Sequence, residues 1–172
     1  MPSTDAPQPT GSATVAVADL PALDRFAIQL AACLPANAVI CLEGDLGAGK
    51  TTLVKAVAAA VGIAPADVTS PTFSLIQIYD APSGDLELIH ADMYRLNDTD
   101  ELRELGWEEL LEPAAEHRRW VFIEWPQRIT TALPAARLAI AIAITGETAR
   151  QLTITGFGAK YATIPAVLAT LS

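Results

Sequence analysis

Lys50, Thr51 and Thr52 follow directly on a glycine-spaced stretch, Gly44-Asp45-Leu46-Gly47-Ala48-Gly49. The pattern is G-x-x-x-x-G-K-T, and its chemistry is the gripping of a polyphosphate. Glycine lets the backbone turn tightly and approach a charged ligand, with no Cβ in the way. Successive main-chain N–H groups then point inward as an anion nest. A helix starting near Lys50 adds unsatisfied N–H groups and the positive end of its dipole. In this reading Leu46, Gly47, Ala48 and Gly49 cradle the phosphates. Lys50 sets a charge on the β- and γ-phosphates, Thr51 offers a hydroxyl to Mg2+, and Thr52 bonds the α-phosphate.

Hydrolysis needs more than a cradle. Mg2+ takes octahedral oxygen ligands and keeps several waters. A carboxylate from the end of a buried strand beside the loop commonly completes the set. Two acids have that form: Glu124 after Trp120-Val121-Phe122-Ile123, and Asp92 after Leu88-Ile89-His90-Ala91. The better apolar run ends in Glu124, which is assigned to the metal together with Thr51. Asp92 is then left to orient or deprotonate an attacking water, with Lys50 as the other catalytic group. Ser70-Pro71-Thr72-Phe73 is a third candidate. Pro71 biases Ser70 away from helix, and the hydroxyls of Ser70 and Thr72 can sense a γ-phosphate, although the spacing alone favours a plain turn into a strand. Trp125 reads either as a sensor of nucleotide or partner or as a core aromatic. His90 reads as a helper of Asp92 or, more commonly for a lone strand histidine, as structural. Arg128 and Arg150 are the arginines to test against phosphate or base, and His117 reads as surface.

These groups need elements to hold them. The run Ala38–Leu42 is a β-prone strand entering the glycine loop, and Leu53, Val54, Val57, Ala58 and Val61 give the following helix one apolar face. Upstream, Asp19 reads as an N-cap with Pro21 in the first turn, and Leu23, Phe26, Leu30 and Leu34 follow at helical spacing up to Pro35. Leu75–Tyr79 and Leu86–Ala91 read as a hairpin across a Pro/Gly turn, and Arg119–Ile123 as a second buried strand. Asn97–Leu111 is one helix or two short ones around Gly106, capped by Asp98 or Thr99. Arg137–Ile144 and Gln151–Thr155 form a closing hairpin, and Ile164, Val167, Leu168 and Leu171 a short terminal helix. The predicted fold is α/β of the P-loop NTPase type: a central, mostly parallel sheet with antiparallel hairpin additions, flanked by helices. Residues 1–12 read as a disordered tail, with a short strand at Thr14–Val17, and residues 13–172 as a single P-loop ATPase domain.

Composition narrows the function classes. With 51% hydrophobic and 18% charged residues, wholesale disorder is excluded, and 172 residues fit one domain. The net charge of −9 repels nucleic acid at long range, so any RNA chemistry is expected to rely on a partner to hold the RNA. Cys33 and Cys41 have no metal-ligand spacing and read as buried free thiols of a reducing cytosol. The first residues lack a basic and apolar leader pattern, and the longest aliphatic run, Leu138–Ile144, is too short to span a bilayer. A cytoplasmic protein with no membrane association is the expectation.

Taken in order, the glycine loop, Ser70-Pro71-Thr72-Phe73, His90-x-Asp92-x-Tyr94-Arg95-Leu96 and Glu124-Trp125-Pro126 resemble the bacterial TsaE (YjeE) family from about Asp19 to Thr155. The resemblance implies a P-loop ATPase of low intrinsic activity using ATP and Mg2+. It implies assembly with a TsaB–TsaD pair, which threonylcarbamoylates adenosine 37 of tRNAs reading ANN codons, with ATP turnover supporting repeated cycles and tRNA met only through the partners. Lys50, Thr51 and Thr52 match the family's nucleotide loop, Glu124 its Mg2+ carboxylate, Asp92 its second essential acid and Trp125 its neighbouring tryptophan. Arg150 falls near a C-terminal arginine close to the nucleotide. One departure stands out: relatives commonly open the first helix with Glu or Thr near the adenine, and here the stretch is Leu20-Pro21-Ala22-Leu23. Two other classes share the loop. A small-molecule or nucleoside kinase would need an Arg- or Lys-rich lid, and Asn97–Arg119 holds no such run. A nucleotide-gated binding module with negligible hydrolysis is the third.

Overall fold

The computed structural model describes residues 6–71, 74–98 and 100–170. In chain order the elements are β1 (Pro9–Val17), α1 (Leu20–Cys33), β2 (Asn37–Glu43), α2 (Lys50–Ala60), β3 (Ile76–Asp80), β4 (Leu86–Asp92), α3 (Asp100–Glu104), α4 (Trp107–Leu111), β5 (Arg118–Glu124), β6 (Arg137–Ile144), β7 (Arg150–Phe157) and α5 (Ile164–Thr170). Two 3-10 segments, Pro126–Ala132 and Ala159–Tyr161, complete the path.

The strands form one seven-stranded sheet in the order β1-β7-β6-β2-β5-β4-β3. Its centre is parallel, with β2 between β5 and β6, and β4 beyond β5. The β3–β4 and β6–β7 pairs and the β1–β7 pair are antiparallel. The architecture is therefore the predicted α/β one. Parallel strands are covered on both faces, so their sequences run apolar without alternation. Ile40, Leu42, Trp120 and Phe122 face α1, α2 and α5, together with Phe26, Leu30, Leu53 and Val57. Val39, Cys41, Val121 and Ile123 face the other way, onto Leu102, Trp107 and Ile129. Each such fully buried side chain contributes about 1.5–3 kcal/mol of transfer free energy, so β2 and β5, which lead into the glycine loop and Glu124, are anchored on both faces. Among the described residues no helix is long and apolar enough to cross a membrane.

Local rules explain the helix ends. Asp19 caps α1 by accepting from the Ala22 N–H at 2.9 Å, with Pro21 in the first turn. Gly106 in the left-handed region splits the predicted Asn97–Leu111 helix into α3 and α4, and the alternative cap Thr99 lies outside the described residues, as does Leu171.

Two sequence readings change. The first strand begins at Pro9, so residues 9–12 belong to the sheet and not to a tail; residues 1–5 lie outside the described part. β7 would otherwise present an unpaired edge, and pairing along it (Ser12 with Thr155, Gly11 with Gly156) overrides the weak local propensity of a Pro/Gly/Ser stretch. Cys41 is buried as expected, but Cys33 is only half-buried.

The C-terminal segment is tied to the loop strand. Tyr161 is fully buried, and its hydroxyl accepts from the Val39 N–H at 2.8 Å. That N–H lies one residue before the β2–β6 ladder begins at Ile40, so the phenol supplies the partner that a buried donor requires.

Candidate functional site

β2 runs into the glycine loop, and the loop delivers the chain to α2. Gly44 has φ +148°, and a Cβ there would meet the Ile142 carbonyl oxygen at 2.6 Å, so the close passage of the loop past β6 requires glycine. Gly49, at φ +109°, is the N-cap of α2. No side chain caps this end, so the first N–H groups of α2 stay free for an anion.

A cavity of about 480 Å³ opens over this end of the sheet. Leu46, Gly47, Gly49, Lys50, Thr51 and Thr52 line it, with Ser70, Pro71, Asp92, Tyr94, Arg95, Glu124 and Trp125. Of the loop residues read as phosphate-binding, Ala48 lies instead on a smaller cavity of about 120 Å³ on the far side of the loop, where Gly47, Gly49 and Thr52 also contribute.

Thr51 and Glu124 come together as the spacing predicts. The Thr51 Oγ1 hydroxyl donates to Glu124 Oε1 at 2.7 Å. Glu124 is 3% exposed. Asp92 stands beside it, because β4 and β5 run parallel with Asp92 and Glu124 as register partners. The Asp92 carboxylate accepts from the Tyr94 N–H at 3.0 Å and from the Ser70 hydroxyl at 3.1 Å. The Ser70-Pro71 corner thus reaches the cavity, while Thr72 and Phe73 lie outside the described residues.

Lys50 is buried, with its Nζ donating to the carbonyls of Gly44 (2.6 Å) and Asp45 (3.0 Å). Burial lowers its pKa below the ordinary lysine value, and the negative charges of Glu124, Asp92 and Asp45 oppose that shift. The ammonium also sits 4.0 Å from the centroid of the Trp125 ring, a cation–π contact, and Tyr94 packs on the same ring at 4.9 Å. Trp125 is the one non-glycine residue with positive φ (58°) among the described residues. Proline follows it, and a backbone of this kind costs about 1–3 kcal/mol. The tryptophan is therefore a member of the site, not plain core.

Arg150, near the start of β7, reaches the loop by its backbone. Nε donates to the Ala48 carbonyl at 2.9 Å, and Nη1 to the carbonyls of Ala149 (2.9 Å) and Gly146 (3.2 Å). Together with Leu20, Leu23, Asp19 and Thr148 it lines the smaller cavity. Arg128 lies on the 3-10 segment after Trp125 and lines neither cavity.

Three features escaped sequence reasoning. Arg95 lines the main cavity; its place three residues after Asp92 was the available signal. His90 turns to Glu124 (Nε2 to Oε1, 2.8 Å), not to Asp92. His117 is half-buried, 3.7 Å from Glu87.

The family model described as "Threonylcarbamoyl adenosine biosynthesis protein TsaE" matches residues 17–152. The tRNA threonylcarbamoyladenosine biosynthesis protein TsaE of Bacillus subtilis is 42% identical over 124 residues, covering 72% of each chain. The protein of that name from Streptomyces coelicolor is 33% identical over 140 residues, covering 78% of this chain and 90% of its own. Among solved structures, the crystal structure of Bacillus subtilis YdiB superposes with a TM-score of 0.72 at 31% identity, covering 92% of this chain and 95% of that one.

Proposed function

This chain belongs to the TsaE family, and on that premise we propose that it is the Mg2+-dependent ATPase subunit that supports threonylcarbamoylation of adenosine 37 in ANN-decoding tRNAs, acting with a TsaB–TsaD pair in the cytoplasm. The observation that carries the reading is the 2.7 Å contact between Thr51 and Glu124 at the mouth of a glycine loop, with Asp92 in register on the next strand.

The donor set suits magnesium. A hydroxyl and a carboxylate are hard oxygen donors, and phosphate oxygens and water would make up an octahedron. Thr51 and Glu124 would hold the ion; when bound it supplies charge neutralisation to the phosphate oxygens. Lys50 moves its ammonium from the Gly44 and Asp45 carbonyls to the β- and γ-phosphates. Loop N–H groups from Leu46 to Thr51 bind the phosphate chain. Thr52 lines both cavities, so a nucleotide with its α-phosphate there places the nucleoside against Leu20, Leu23 and Thr148. Asp92, with one oxygen held by Tyr94 and the other by Ser70, orients the attacking water and accepts its proton.

The test has two parts. ATP hydrolysis is measured for the chain alone and with a TsaB–TsaD pair, and tRNA modification is measured in a Lys50→Ala strain. Stimulated hydrolysis and loss of modification are expected. Phosphoryl transfer to a metabolite would point to a kinase instead, binding without turnover to a gated module, and unchanged modification would remove the reading.

A further inference from the structure

We infer that His90 is a positioning residue for the Glu124 carboxylate, setting how well this chain holds a divalent cation beside its nucleotide; the inference rests on the magnesium reading above. His90 is on β4 and fully buried. Its Nε2 is 2.8 Å from Glu124 Oε1, the same oxygen that accepts the Thr51 hydroxyl at 2.7 Å. An ionised carboxylate only accepts, so Nε2 is the donor in this pair. The other ring nitrogen, Nδ1, is buried and has no hydrogen-bond partner among the described residues. A polar ring in the apolar middle of a sheet is costly unless its polar atoms are matched, and here its single match is the carboxylate at the site.

The consequence is geometric. Glu124 Oε1 receives two donors from two different directions, one on the loop helix and one on β4. With only the Thr51 contact, the carboxylate would lose its anchor whenever that hydroxyl turned to another partner. His90 stays in place, because its strand is hydrogen-bonded to neighbours on both sides. Partners behind a metal-holding carboxylate typically change metal affinity by 10–100-fold when removed.

Three full-length variants test this. His90→Leu fills the space without a donor. His90→Asn keeps polarity but its amide falls short of the Nε2 position. His90→Gln places an amide N–H near where Nε2 was. ADP binding is measured by calorimetry in EDTA and then across a MgCl2 titration. In EDTA all four proteins should bind ADP alike, since the loop is untouched. Across the titration, the magnesium concentration for half-maximal effect should rise by about 10–100-fold in the Leu and Asn variants and stay near wild type in the Gln variant. If His90→Leu does not fold, the Asn and Gln variants decide the matter between them. Equal magnesium response in the Asn variant and wild type would overturn the inference. So would loss of ADP binding in EDTA in every variant, which would mark a purely structural histidine. Absence of any magnesium response in the wild-type protein would instead bring down the magnesium reading itself.

Discussion

Arg150 gives the sharpest test of how the loop is built, because a brace and a phosphate ligand predict different things. Its Nε–H meets the carbonyl of Ala48 at 2.9 Å, and Ala48 is 1% exposed. Replacing Arg150 by Ala takes that donor away from the carbonyl of a buried residue. An unsatisfied buried group costs about 1–3 kcal/mol, so Arg150→Ala is expected to lower the unfolding free energy by about 2 kcal/mol and Tm by about 4–8 °C for a chain of this size. Both effects should appear without nucleotide, by calorimetry or urea titration. If the same energy is needed to order the loop on binding, affinity falls by at most about 30-fold. It should fall by the same factor for ATP, ADP and AMP, because the loss lies in the loop and not in any one phosphate contact. Arg150→Lys should rescue little, since an ammonium lacks the planar fork that spans the Ala48 and Ala149 carbonyls. An unchanged Tm combined with an affinity loss that grows with the number of phosphates would refute the bracing argument.

Further outcomes follow from features already described. Burial pushes the Cys41 thiol from 9.0 up to about 12 and also raises the Tyr161 hydroxyl. A raised folded-state pKa gives stability that is present below the unfolded value and lost as pH rises through the folded one. Urea midpoints should therefore fall from about pH 9 towards pH 12, and Cys41→Val should flatten part of that slope. Gly156→Ala puts a Cβ 2.4 Å from the Tyr161 carbonyl oxygen and should destabilise by about 1–3 kcal/mol, as overpacking does; an unchanged midpoint in denaturant would contradict the packing. Moving Lys50 off the Trp125 ring, 4.0 Å away, should alter tryptophan emission when Mg-ATP is added. The buried Trp107 and Trp120 should contribute little, so Trp125→Phe should abolish the change.

What was legible in the sequence was chemistry that needs fixed residue types at fixed spacing. The glycine loop, its lysine and threonines, and the acids closing two apolar runs all fall within short windows, and parallel strands announce themselves as unbroken apolar runs. What was not legible lies between distant segments. His90 finds Glu124 across 34 residues, Arg150 finds Ala48 across 102, and Tyr161 finds Val39 across 122. Each depends on which strand lies beside which, and local periodicity does not encode strand order. Trp125 was ambiguous for another reason: its ring reaches Lys50 through a left-handed backbone, a conformation that residue identity discourages. The strand at Pro9–Val17 is longer than its local propensity suggests because its partner, β7, is far away in the sequence.

That late partnership has a consequence for biosynthesis. Val17 pairs with Arg150 and Pro9 with Phe157, so the opening residues leave the ribosome long before their mate exists. Non-local pairing of this kind slows folding and leaves hydrophobic segments open to capture while translation proceeds. The same final strand carries Arg150 to Ala48, so a nascent chain halted before β7 emerges would hold a complete glycine signature and yet lack its guanidinium brace. Competence for the ligand would then arrive only once β7 has emerged, as a checkpoint on synthesis.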